Sequence, residues 1–238
     1  MTKNFLVNVL LVPDMVQLDM TGPYEVLSRV PGWRIEIISA DLQPVRTDRG
    51  LRIMPTMTRD AAGPADLLVI PGGTGIDHAM IDPAWVAFVK QQAEAARYVF
   101  GICTGSMLLA ATGLLNGRRA GAHWQARDLL SRFGAIPVHD RMVVDGKYFT
   151  SGGVTSGIDM ALKVVAEIMG DETAQKIQLS IEYDPAPPFP GGTPFTSPHA
   201  IVAAVLEAGA TRRKDREAMV DKAVAAMHRN QNREAEKP

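Results

Sequence analysis

The 238-residue sequence predicts an α/β protein built on a mostly parallel central sheet, with helices on both faces and a helical extension at the C terminus. Two observations carry that prediction. Short apolar runs alternate with amphipathic stretches over the first 170 residues, and the most apolar runs feed directly into glycine-rich turns. The clearest are Leu67–Ile70, running into Pro71-Gly72-Gly73, and Tyr98–Ile102, running into Cys103 and a second apolar helix.

Phe5–Val12 reads as the first strand and Pro23–Val30 as a short helix, because proline is pre-organised for a first helical turn. Arg34–Ser39 alternates as a strand, and Leu51–Met54 forms a further short one. Pro83–Ala96 has helical spacing, with Trp85, Phe88, Val89 and Ala93 on one side. Ser106–Leu115 is a very apolar helix, and Trp124–Phe133 a helix closed by Gly134. Met142–Asp145 and Tyr148–Thr150 flank Gly146 as a hairpin, and Ile158–Met169 and Glu172–Leu179 are helical. Residues 184–198 hold six of the 16 prolines and form an extended segment rather than a regular element. Helices over His199–Ala208 and Lys214–Arg229 follow, before a frayed end from Asn230. The expected division is an α/β domain over residues 1–183, with 184–238 packed on it or on a dimer partner through Ile201, Val202, Val205 and Leu206.

Composition narrows the function. A net charge of −1 gives no electrostatic reason to expect nucleic acid or an acidic membrane as partner. Runs such as Leu67–Ile70 stop well short of the ~20 apolar residues that a membrane span requires. The N terminus reads as a strand rather than a signal peptide, and the single cysteine excludes an internal disulfide; a cytoplasmic protein is expected. No His, Cys, Asp or Glu cluster has metal-ligand spacing.

The most informative segment is Gly101-Ile102-Cys103-Thr104-Gly105, between an apolar strand and an apolar helix. Small residues on both sides of a cysteine permit the strained turn of a nucleophile elbow, which lifts the side chain above the strand ends. The nearby helix N terminus is expected to favour the thiolate. Gly72 and Gly73 form either a plain tight turn or a loop whose N–H groups approach a reacting atom. Asp19, in Gln17-Leu18-Asp19-Met20-Thr21-Gly22-Pro23, is either a helix N-cap or a site residue. His123 either reaches the site or is structural.

Together, Pro71-Gly72-Gly73, the Cys103 elbow, Ala122-His123-Trp124 and Ser151-Gly152-Gly153-Val154-Thr155-Ser156-Gly157-Ile158-Asp159 resemble the ThiJ/PfpI superfamily of class I glutamine-amidotransferase-like folds. Within it, the Gln17–Pro23 segment and Glu182–Phe189 are most similar to the isocyanide hydratases. The resemblance implies a flavodoxin-like sandwich, a homodimer, no cofactor and an isocyanide substrate. It also implies that Asp19 and Cys103 are the catalytic pair, with Thr104 hydrogen-bonding in the site and Gly72 and Gly73 steadying charge. Thr104 stands where the protease-like members carry histidine, which argues against a Cys–His peptidase. Two other readings remain: a redox or electrophile-stress protein with Cys103 as an oxidisable sensor, and the ligand-sensing half of an AraC-type regulator. Only 40 residues follow Pro198, too few for the regulators' paired helix-turn-helix unit.

Overall fold

The computed structural model describes residues 5–235. Seven strands form the central sheet: β1 (Phe5–Leu10), β2 (Trp33–Ser39), β3 (Met57–Thr58), β4 (Leu67–Ile70), β5 (Tyr98–Ile102), β6 (Met142–Asp145) and β7 (Tyr148–Ser151). Their spatial order is β6-β7-β5-β4-β1-β2-β3, parallel throughout except for the β6–β7 hairpin at one edge. Every residue of β4 is buried, as a strand covered on both faces demands, which is why its sequence is a continuous apolar run rather than an alternating one. Leu51–Met54 contributes only Arg52–Ile53, paired with Val45–Arg46 outside the main sheet.

The helices are α1 (Gln17–Leu27), α2 (Gly75–Ala79), α3 (Pro83–Ala95), α4 (Gly105–Ala111), α5 (Ser156–Met169), α6 (Asp171–Ser180) and α7 (His199–Ala235). The groups α1, α5 and α6, and α2, α3, α4 and α7, pack separately. From β1 the chain moves outward to β2 and then returns to β4 on the other side of β1. That reversal opens a crevice at the carboxyl ends of β1, β4 and β5, where open α/β sheets place their ligands.

Three elements depart from expectation. Helix α1 starts at Gln17, not Pro23, so the proline lies inside it and withholds one hydrogen bond from the first turns. The earlier start is fixed from outside the helix: the Val16 N–H donates to the Gly72 carbonyl at 2.9 Å, and Met15 bridges to Gly73. The segment expected as a helix from Trp124 is a turn followed by a 3-10 helix over Arg127–Phe133, closed by Gly134 in the left-handed conformation. Its first residues are held in that turn because the His123 carbonyl accepts from both the Ala126 and Arg127 N–H groups.

The third departure is α7, a single 37-residue helix where two were expected. From Arg213 onward it is riveted down. Arg213 pairs with both oxygens of Asp128, Arg132 of the 3-10 helix reaches Asp221 at 2.9 Å, and Arg216 grips Asp77 of α2 at 2.7 and 3.1 Å. Val220, Ala223 and Met227 bury beneath it, whereas Ile201, Val205 and Leu206 in its first half are exposed within this chain. Among the described residues, no helix is long and apolar enough to cross a membrane.

Candidate active site

Three loops at the crevice supply the site. Cys103 follows β5 with φ of 57°, a left-handed conformation that costs a non-glycine residue about 1–2 kcal/mol and aims its side chain away from the sheet. Its N–H is held by the carbonyls of Ser151 and Gly152 at 3.1 and 3.0 Å. The flanking glycines follow from crowding. A Cβ on Gly105 would lie 2.0 Å from the Ile70 carbonyl oxygen, and one on Gly101 would lie 2.9 Å from Ser106.

Gly72 is the meeting point. A Cβ there would lie 2.7 Å from the Cys103 Cβ, 2.8 Å from Asp19 Oδ2 and 2.6 Å from the Thr104 nitrogen. Glycine therefore lets the carboxyl and the thiol approach each other across bare backbone. Asp19, in the first turn of α1, is fully buried and is no helix cap; its Oδ2 accepts from the Gly72 N–H at 2.9 Å. Oδ1 has no partner among the described residues. Thr104 Oγ1 is engaged twice with Gly73, accepting from its N–H at 2.9 Å and donating to its carbonyl at 3.1 Å. Cys103, Asp19, Thr104, Gly72 and Gly73 thus come together. The Gly72 and Gly73 N–H groups are already occupied, by Asp19 and Thr104.

The electrostatics follow from burial. Asp19 is pushed up to about 7 by removal from water, offset in part by the Gly72 N–H and by the Cys103 thiol. Cys103 is raised well above its ordinary value, first by burial and then by the neighbouring Asp19; the Thr104 N–H pulls the other way. The thiolate expected from the helix N terminus is therefore not the resting form: desolvation outweighs the end of the seven-residue α4. The resting pair is a protonated thiol beside a carboxyl that titrates near neutrality.

A cavity of about 440 Å³ opens onto Cys103, with Gln17, Asp48, Arg49, His123 and Arg216 in its wall. His123 is pushed down to about 4 by burial and by Arg216, Arg212 and Arg127, so it is neutral at pH 7. The two arginines from α7 carried no signal in the sequence, because a helix more than a hundred residues beyond the elbow brings them there. Among the described residues, no three His, Cys, Asp or Glu side chains gather as metal ligands do.

A doubly wound sheet carrying a strained cysteine elbow beside a buried carboxyl defines a class, and comparison with known proteins gives it a name. The DJ-1/PfpI family model matches residues 6–167, and the chain belongs to that family. It is 44% identical over 222 residues to an isonitrile hydratase of Pseudomonas putida, covering 93% of this chain and 97% of that one. A solved ThiJ/PfpI family protein from Pseudomonas syringae is 37% identical, with a TM-score of 0.89 over 92% of this chain and 91% of its own. The transcriptional regulator GbdR of Pseudomonas aeruginosa is 30% identical over 154 residues, which span 64% of this chain and 42% of the regulator.

Proposed function

We propose that this protein is an isocyanide (isonitrile) hydratase that needs no cofactor and converts an isocyanide and water into an N-substituted formamide. The observation that carries the reading is the buried Asp19 carboxyl set against Cys103 across Gly72. The 44% identity to an isonitrile hydratase over nearly the full length of both chains supports the substrate class.

The terminal carbon of an isocyanide accepts a nucleophile and must also gain a proton. Asp19, ionised, takes the thiol proton through its unpartnered Oδ1 as the Cys103 sulfur bonds to that carbon. Asp19 then delivers the proton to the same carbon, leaving a thioimidate with a C–H, a C–S and a C=N bond. Water adds to the thioimidate carbon with Asp19 as base, and the C–S bond breaks. The two protons of water end on nitrogen and on sulfur, its oxygen becomes the formyl oxygen, and the free thiol returns. A carboxyl titrating near 7 is matched to taking and returning a proton at neutral pH. Thr104 fixes the Gly73 loop, and with it the Gly72 N–H that orients Asp19.

A sensor role for Cys103 has less support, because oxidation proceeds through the thiolate and burial beside Asp19 disfavours that form. The exposed Ile201, Val205 and Leu206 on α7 support self-association as a homodimer; a one-chain mass by light scattering would refute it.

The reduced protein mixed with an aryl isocyanide is expected to release the formamide. Cys103→Ala should be inactive, and Asp19→Asn slower by about 10²–10⁴-fold. In the latter, mass spectrometry should find Cys103 unmodified, because the thiol proton has no acceptor and the adduct-forming step is itself slowed. Absence of turnover by the folded, reduced protein overturns the reading.

A further inference from the structure

On the far side of His123 from the reaction pocket lies a second cavity of about 340 Å³. His123 and Val154 are the wall the two share. Its floor is the segment leading into α5, Gly152 to Ser156, and its roof is the proline-rich loop at Pro194 and Phe195. Trp124 adds an aromatic side.

Arg127 lines this cavity at only 8% exposure, and its guanidinium forms no hydrogen bond or ion pair with any described residue. The charges beside it on this cavity are engaged elsewhere. Asp128, the next residue, is held by Arg213; Arg141 is held by Asp159, whose other oxygen accepts from Tyr183; and Asp140 points to Arg119 at 4.0 Å. Asp128 acts on the Arg127 guanidinium only through space, its oxygens being taken by Arg213, so the guanidinium donors stay unengaged and burial pulls Arg127 below its ordinary value.

The floor lacks the same thing. The N–H groups of Gly153, Val154 and Thr155 precede the 14-residue α5 and donate to no described acceptor. Val154 is held at φ 25°, an unusual conformation for a β-branched residue. Free N–H donors at a helix N terminus and a buried arginine that makes no hydrogen bond ask for one thing, a negatively charged acceptor.

We infer that this cavity binds a small organic anion, a carboxylate on an apolar or aromatic body, with the carboxylate on Arg127 and the α5 N terminus and the body between Trp124 and Phe195. A guanidinium presents paired donors that match the two oxygens of a carboxylate. The site stands apart from the hydratase reading, since nothing in it uses Cys103.

Calorimetric titration with benzoate and with its neutral counterpart benzamide tests the inference. Benzoate is expected to bind saturably, one per chain, at least tenfold more tightly than benzamide. Arg127→Gln should weaken benzoate at least tenfold, Arg127→Lys less, and Cys103→Ala should leave it unchanged. Equal affinity for the two probes, undiminished benzoate binding in Arg127→Gln, or loss of binding in Cys103→Ala would each overturn it. Should Arg127→Gln fail to fold, Phe195→Ala on the exposed loop takes its place. It should weaken benzoate several-fold, and unchanged affinity overturns the assignment.

Discussion

The two cavities on either side of His123 are unfinished in opposite senses. At Cys103 the donors are spoken for: Gly72 N–H by Asp19, Gly73 N–H by Thr104, leaving one acceptor, Asp19 Oδ1, without a donor. At Arg127 the donors are in surplus and no acceptor answers them. The first arrangement suits a proton or a water, the second an anion. Burial alone therefore does not say what a pocket is for; the sign of what it leaves unsatisfied does.

The sharpest way to separate them is Gly72→Ala. Its methyl group would land within 3 Å of both the Cys103 Cβ and Asp19 Oδ2 and force the pair apart. Isocyanide turnover should fall by about a thousandfold or more, on the scale of losing an acid–base group together with its alignment. Benzoate binding at Arg127 should stay within twofold. If both functions fail together in a folded variant, as judged by circular dichroism, the two cavities are one site.

A smaller effect comes from pH. Asp19 must be ionised to take the thiol proton, so kcat/KM should fall tenfold per unit below about 7 and level off above it. The same group shapes stability. Its pKa is raised on folding from 3.8 to about 7, so the folded state holds the proton more tightly, and the stabilisation present below 3.8 is lost as pH climbs to about 7. Denaturant titrations of Asp19→Asn should lack that slope. A wild type whose stability rises over the same interval would contradict the burial argument for Asp19.

Much of this was legible in the sequence. Leu67–Ile70 and Tyr98–Ile102 fall where the apolar runs end in glycine turns, because strands buried on both faces permit no polar residue to blur their limits. The cysteine elbow was legible for the same reason: Gly101 and Gly105 stand where any Cβ would strike Ser106 or Ile70. What stayed hidden depends on contacts distant in sequence. Asp19 looked like a cap because Pro23 looked like a helix start; the anchor that moves the start to Gln17 is Gly72, more than fifty residues away. The raised thiol pKa could not be read locally either, since it depends on how completely three loops exclude water around Cys103. Arg127 sat in the helix expected over Trp124–Phe133, and only the turn after His123 and the engagement of Asp128 by Arg213 leave it without a hydrogen bond in a cavity.

The attachment of α7 has a consequence for the integrity of the chain. It is fastened mainly from Arg213 onward, through Arg213, Arg216 and the buried Val220, Ala223 and Met227, with a single hydrogen bond from Gln125 to the Val205 carbonyl nearer its start, and the exposed proline-rich loop before it contributes little to that hold. A protease cutting within residues 184–198 would sever the backbone without severing the molecule. The two fragments would remain clasped through the buried ion pair between Asp77 and Arg216, and an arginine of the severed piece would still stand in the wall of the cavity that opens onto Cys103.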